Sequence, residues 1–92
     1  MSDDIRDNET LLQFPCSFPI KVMGRDAPDF RETVIEIVAG HAGRIDNNSV
    51  RSSPSRKGNF VSITVTIQAE SQDQLDRIYQ DLSAHDDVLF SL

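Results

Sequence analysis

The sequence predicts an α+β sandwich in which two helices cover one face of a four-stranded antiparallel sheet. Three observations predict it: a strongly alternating segment, two segments of helical periodicity, and three further short extended segments. The alternation is clearest from Phe60 to Ala69, where apolar side chains take turns with mostly hydroxyl-bearing ones. Such a strand has one apolar face and one polar face. We therefore expect one side of the sheet to lie bare.

Length and composition describe one small globular domain. The 92 residues leave no room for two cores, and we expect a flexible leader over residues 1–13 and a single domain over residues 14–92. No apolar run approaches the ~18 residues that a membrane span needs. The acidic, polar start does not resemble a targeting segment. These features predict a cytoplasmic location and no membrane partner.

The first strand and first helix are predicted from local signals. The strand is expected from Phe18 to Met23, and Gly24 is expected to end it. Asp26 then serves as the N-cap, Pro28 fits the first helical turn, and Gly43 ends the helix. The predicted apolar stripe of this helix consists of Phe30, Val34, Ile37, Val38 and His41.

The second half of the chain adds three more strands and a helix. A short polar strand is expected from Ser49 to Ser55, and Pro54 places it at an edge of the sheet. A turn at Lys57-Gly58-Asn59 leads into the alternating strand. A capping box, Ser71 to Gln74, begins the second helix. The last strand is predicted from Val88 to Leu92.

The order of these elements defines the topology. Strand, helix, strand, strand, helix, strand, joined by right-handed crossovers, gives the ferredoxin-like split βαβ arrangement (βαββαβ). We expect the second strand at one edge of the sheet and the last strand at the other.

Charge limits the partners that the chain can bind. The net charge of −6 disfavours broad nucleic-acid binding, which depends on cations that pair with phosphates. Basic residues nevertheless outnumber acids between positions 44 and 57, which suits a small anionic ligand or an acidic partner. The run Lys57-Gly58-Asn59-Phe60-Val61 is faintly similar to an RNA-recognition signature. That signature needs at least two stacking aromatics on the strand, and only Phe60 is present, so we expect no RNA binding.

No catalytic or metal-binding pattern is predicted. Cys16 is the single cysteine, so an internal disulfide is excluded. His41 and His85 lie near helix ends, where they can cap or pack, and neither has the neighbouring ligands that zinc requires. We therefore expect no enzyme activity and no cofactor.

Two surfaces are candidates for ligand binding. The hairpin from Ser52 to Asn59 offers hydroxyls, cations and amides to a carboxylate or phosphate. It can equally serve only to keep the sheet edge soluble. The bare sheet face offers a mixed polar and apolar surface. Either a partner covers this face, or it is simply exposed to water. The candidate ligand-binding residues are Lys21, Met23, Arg51, Arg56, Lys57, Gly58 and Phe60.

Three segments, residues 14–24, 55–64 and 74–82, resemble the YbeD-like family of small bacterial proteins, whose biochemical role is undetermined. The most specific parts are Lys21 to Gly24 and Ser55 to Phe60. The resemblance runs from Phe14 to Leu92 and implies a ferredoxin-like sandwich similar to ACT-type regulatory domains. Some family members are described as lipoic acid-binding regulatory proteins. The resemblance therefore implies lipoate, or a related small carboxylate, as a ligand.

The similarity to ACT domains extends to one turn. Asp26-Ala27-Pro28 matches their effector-binding turn, but Asp29 stands where those domains have glycine. Its side chain crowds the backbone and its charge repels a carboxylate. Amino-acid sensing at this turn is therefore not expected. The resemblance also leaves open a homodimer that pairs through edge strands, although Pro54 would interrupt the ladder.

Three functions follow as hypotheses. The first is a non-enzymatic regulatory or ligand-binding module, and the second is an adaptor that recruits an enzyme through the bare sheet face. The third is an acylphosphatase, because those enzymes share the split βαβ arrangement. They need an arginine in a phosphate-cradling loop after the first strand. Arg25 lies there without a glycine-rich cradle, so we expect no such activity.

Overall fold

The computed structural model describes residues 13–55 and 58–92. The leader predicted over residues 1–13 lies outside this part of the chain except for Gln13, and so do Arg56 and Lys57. A short 3-10 turn, Asn47–Ser49, precedes the second strand. The helices and strands are β1 (Cys16–Arg25), α1 (Phe30–Ala42), β2 (Val50–Pro54), β3 (Phe60–Ala69), α2 (Gln72–Ser83) and β4 (Val88–Ser91).

The four strands form one antiparallel sheet in the order β2-β3-β1-β4. This order confirms the predicted ferredoxin-like topology, with β2 at one edge and β4 at the other. The bounds of β3 coincide with the predicted ones, because strict alternation marks both ends of a strand. No helix in the described part of the chain is long and apolar enough to cross a membrane.

Both helices pack on the same face of the sheet. The buried side chains of α1 and α2 meet the inward-facing residues of β1 and β3 in one apolar core. The other face carries the alternate residues of each strand, and Lys21, Thr66 and Gln68 on it are exposed. We call this side the open face. The helical contribution to the core is Phe30, Val34, Val38, Leu75, Ile78 and Leu82.

Gly24 does not end the first strand, so that prediction was wrong. β1 continues through it to Arg25, and Gly24 is buried. A Cβ atom at this position would collide with the Phe30 ring, 2.6 Å from Cε1, and also with the backbone oxygen of Asp87. Glycine is required here because two chain segments approach the strand closely, and not because the backbone turns.

The first helix begins later than predicted, and Asp26 is not its N-cap. The backbone N–H of Asp26 donates to the carbonyl of Asn59 (3.1 Å) at the entry to β3. This bond holds the chain beside the sheet, so α1 begins at Phe30 with Asp29 as a cap that forms no side-chain hydrogen bond. The predicted end is confirmed: Gly43 follows the last helical residue with φ of +84°.

The predicted capping box forms at α2 with one difference. The Gln74 N–H donates to the Ser71 hydroxyl (3.1 Å), as expected. The side-chain oxygen of Gln74 accepts from Glu70 N–H (2.8 Å) instead of the Ser71 N–H. Its side-chain nitrogen donates to the carbonyl of His41 (3.1 Å). Gln74 therefore caps its own helix and also joins it to the end of α1.

Candidate functional site

The strand register places the open-face residues in rows that run across the sheet. The first row passes through Thr64 and ends at Leu92, just after β4, and the second crosses all four strands and passes through Ser62. A third, shorter row pairs Phe60 with Arg25. Residues directly opposite in an antiparallel pair share a face, so each row is a line of neighbouring side chains. The first row is Arg51, Thr64, Lys21 and Leu92, and the second is Ser53, Ser62, Met23 and Phe90.

The charged residues of the open face are all basic. Lys21, Arg25 and Arg51 are exposed, and none of them forms an ion pair with another described residue. No strand carries an acidic residue, because the acids of the described chain lie on helices and loops. A protein of net charge −6 therefore presents a sheet face of positive charge.

The geometry brings two of these cations to the sides of one hydroxyl. Lys21 and Arg51 both pair with Thr64, one from each neighbouring strand. Strands lie 4.7–4.9 Å apart, so the Cα atoms of the two cations are about 10 Å apart. A carboxylate or phosphate above Thr64 is within reach of both long side chains and of the hydroxyl.

An apolar area adjoins this cationic pair. Met23 and Phe90 are paired in the second row, and Leu92 ends the first row beside Lys21. Phe90 is 51% exposed and Leu92 is 68% exposed. Apolar side chains this exposed are the usual material of binding surfaces when they cluster. The open face thus combines positive charge with an apolar area, as an amphipathic anion requires.

The structure shows the positions of five of the seven predicted site residues. Lys21, Met23, Arg51 and Phe60 lie on the open face as expected. Gly58 lies in the hairpin turn with φ of +75° and is exposed. The predictions for Arg56 and Lys57 lie outside the described residues.

Sequence reasoning did not place three residues on the open face: Arg25, Phe90 and Leu92. Arg25 continues the alternation of Lys21 and Met23 by one step, but reading Gly24 as a strand break hid it. Alternation carried through the glycine would have found Arg25. Phe90 and Leu92 share the open face, but a register shift places Val88 against the core, so the period of the last strand alone does not assign their face.

The described part of the hairpin is held by Ser55. Its N–H donates to the carbonyl of Phe60 (2.8 Å), and its hydroxyl accepts from the Phe60 N–H (3.2 Å). The Gly58 N–H donates to the Ser55 carbonyl (3.1 Å). These bonds fix the turn beside β2, at the end of the open face where Phe60 and Ser53 lie.

Other groups of chemical interest lie elsewhere and serve the fold. Cys16 is half-buried and packs against the core. His41 Nε2 lies 2.6 Å from a carboxylate oxygen of Asp81, so this pair ties α1 to α2. A shallow depression on α2, lined by Tyr79, Gln80, Ser83 and Ala84, has no charged side chain in its lining. Partial burial raises the pKa of Tyr79, which keeps its phenol neutral.

These observations define a class: a split βαβ sandwich whose bare sheet face is cationic and partly apolar. Residues 9–92 match the family described as "Protein of unknown function (DUF493)". The chain belongs to this family, which is the same as the YbeD-like family, so the resemblance is confirmed.

Curated relatives agree with this assignment. A "UPF0250 protein" of Paraburkholderia phytofirmans (strain DSM 17436 / LMG 22146 / PsJN) is 45% identical over 78 residues, which cover 85% of this chain and 88% of the relative. A "UPF0250 protein" of Neisseria gonorrhoeae (strain ATCC 700825 / FA 1090) is 43% identical over 82 residues, which cover 88% and 90%. Both names leave the activity open.

A solved structure supports the fold. The solution structure of protein HP0495 from H. pylori superposes with a TM-score of 0.71 at 20% sequence identity. The match covers 88% of this chain and 85% of that chain. At this identity the likeness concerns the fold alone.

Proposed function

We propose that this chain is a non-enzymatic binding module of a regulatory kind, and that the open face takes a small amphipathic carboxylate. The observation that carries the proposal is the pair of cations, Lys21 and Arg51, on either side of Thr64, with no acid on the four described strands. Lipoate, which the family resemblance implies, belongs to this chemical class. Its carboxylate would lie above Thr64, and its apolar tail would lie along Met23 and Phe90.

Charge and surface chemistry together support this ligand class. A carboxylate that pairs with two cations gains charge-assisted hydrogen bonds, which are about twice as strong as neutral ones. An acyl tail that covers an exposed side chain contributes about 25 cal/mol for each Å² of apolar area removed from water. On an open surface both terms are moderate, so we expect a dissociation constant in the micromolar to millimolar range.

The adaptor remains the second candidate. Phe90 and Leu92 stay exposed on the open face, and Leu89 of the same strand is 45% exposed. Exposed apolar side chains in one strand favour a macromolecular partner that covers them.

A titration followed by amide shifts in NMR spectra tests the small-ligand proposal. Lipoate and octanoate are expected to shift the amide signals of Lys21, Arg51 and Thr64. Octanamide has the same chain without the charge, and we expect it to bind about tenfold more weakly, a difference of about 1.4 kcal/mol. Lys21→Gln and Arg51→Gln are each expected to weaken octanoate binding by a similar factor.

The matched control is Arg77→Gln. Arg77 is an exposed cation on α2, where it pairs with Asp73 at 2.8 Å, so its loss should leave octanoate binding unchanged. No shift on the open face at millimolar lipoate or octanoate would reject a small carboxylate as the ligand. Equal binding of octanoate and octanamide would reject the role of the cation pair.

A further inference from the structure

The outer edge of β4 has free backbone hydrogen-bonding groups. Leu92 and Lys21 exchange two hydrogen bonds: the Lys21 N–H donates to the Leu92 carbonyl (3.0 Å), and the Leu92 N–H donates to the Lys21 carbonyl (2.7 Å). In an antiparallel ladder, consecutive residues direct these groups to opposite sides. The N–H and C=O of Ser91 therefore point away from β1, where no described strand lies.

The two edges of the sheet differ in chemistry. β2 has features that discourage pairing: Pro54 lacks a donor, Arg51 is charged, and the serines between them are exposed. The segment Val88–Ser91 has no proline and no charge, and it exposes Leu89 and Phe90. Natural edge strands are protected by proline, charge, bulges or short length, and of these β4 has its short length and a register shift where Gly24 pairs with Val88, but neither proline nor charge. β4 is accordingly the edge that is open to a further strand.

The charges beside β4 specify the partner. A strand added at this edge lies two strands from β1, about 10 Å between Cα atoms. The side chain of Lys21 is long enough to reach an acidic group of that strand across Leu92, its partner in β1–β4 pairing. Arg25 lies farther along β1, where its N–H donates to the carbonyl of Asp87 (3.0 Å), so Asp86 and Asp87 already adjoin it. A second copy of β4 carries no charge within Val88–Ser91, and antiparallel pairing through Ser91 would place its Asp86 and Asp87 beyond the row of Lys21, which would stay unmatched. Charge complementarity therefore favours an acidic partner.

We infer that the outer edge of β4 is a docking site for an extended acidic segment of a partner protein, which adds to the sheet as a fifth strand. The segment pairs its backbone with Ser91, and an acidic side chain of the segment faces Lys21 on the open face. Strand addition of this kind takes affinity from backbone hydrogen bonds and specificity from alternate side chains. The inference does not depend on the binding of a small carboxylate.

An acetylated and amidated hexapeptide of alternating glutamate and valine is the probe. With the full chain in solution, the peptide at millimolar concentration is expected to shift the amide signals of Leu89, Phe90 and Ser91. Exchange of the Ser91 amide hydrogen should slow as well, because this N–H gains an acceptor. A peptide with lysine in place of glutamate is expected to bind about tenfold more weakly. Octanoate, whose tail lies near Phe90, can shift neighbouring amide signals but should not slow exchange of the Ser91 amide hydrogen, so the two proposals fail separately.

Two matched pairs of variants complete the test. Ser91→Pro removes the outward N–H without touching the bonds to β1 and should weaken binding about tenfold, whereas Ser91→Ala keeps that N–H and should bind like the original chain. Lys21→Glu should reverse the preference toward the lysine peptide, which a merely unfolded variant cannot do, and Lys21→Gln should abolish the preference.

Three results would overturn the inference. The first is the absence of shifts and exchange protection in β4 at millimolar peptide. The second is equal binding by the Ser91→Pro and Ser91→Ala variants. The third is a stable dimer in sedimentation equilibrium that Ser91→Pro dissociates, because the edge would then be occupied by a second copy.

Discussion

Gly24→Ala is expected to destabilise the protein by about 2–3 kcal/mol, since the added methyl group overpacks a filled site. The Cβ atom would overlap the Phe30 ring and the backbone oxygen of Asp87. The ring belongs to α1, and Asp87 immediately precedes β4, so both elements must shift. Urea unfolding followed by circular dichroism measures the loss as a lower midpoint at unchanged slope.

Gly40→Ala is the matched control. Gly40 lies on α1 and is exposed, and a methyl group added to it would meet no atom within 4 Å beyond its chain neighbours and the backbone of its own helix. Alanine is a better helix former than glycine, so this change should stabilise the protein by about 0.5–1 kcal/mol. A Gly24→Ala variant as stable as the original chain would contradict the close approach of α1 and β4 to β1.

Phe30→Ala is expected to cost about 3–5 kcal/mol, because it empties the largest side-chain site in the core. This is a large part of the 5–15 kcal/mol that stabilises a typical domain. The same urea unfolding experiment measures it. A cost below about 1 kcal/mol would contradict the central position of the ring.

A milder substitution, Phe30→Leu, tests whether the cost of Gly24→Ala comes from the Phe30 ring. Phe30→Leu removes the ring atoms that a methyl group on residue 24 would meet. The cost of Gly24→Ala should therefore be smaller in the Phe30→Leu background, with a coupling energy of about 1–2 kcal/mol. Additive costs would show that the ring and the glycine are independent.

The contact of Gly24 with Phe30 and Asp87 affects the open face as well as the stability of the fold. Gly24 lies between Met23 and Arg25, and the register of β4 shifts at the same point. Any shift of β1 there changes the rows that hold Phe90 and Arg25. A variant at Gly24 should consequently alter binding at the β4 side of the open face more than at Arg51.

Periodic features of the fold were predicted from the sequence, and contact-dependent features were not. The bounds of β3, the capping hydroxyl of Ser71 and the edge position of β2 follow from patterns within a few residues. The continuation of β1 through Gly24 depends on Phe30 and Asp87, which approach from elsewhere in the fold. The late start of α1 likewise depends on a bond from Asp26 to Asn59. Neighbours distant in sequence leave no local signal.

In the candidate site, too, periodic features were predicted and features that depend on pairing between strands were not. Alternation placed Lys21, Met23 and Phe60 on one face, because a strand's side chains follow a period of two. The arrangement of Lys21 and Arg51 around Thr64 requires the pairing register of three strands. No pattern within one strand specifies that register, so the cation pair became visible only in the structure.

Thiol labelling tests most directly the central claim that the open face is uncovered in the isolated chain. In a Cys16→Ser background, single cysteines are introduced as Thr64→Cys and Thr66→Cys on the open face and as Val65→Cys in the core. Val65 is fully buried, so its label should attach only when the structure opens. We predict labelling of Thr64→Cys and Thr66→Cys within about tenfold of an unfolded thiol, and far slower labelling of Val65→Cys. Protection of Thr64→Cys as strong as that of Val65→Cys would contradict the account.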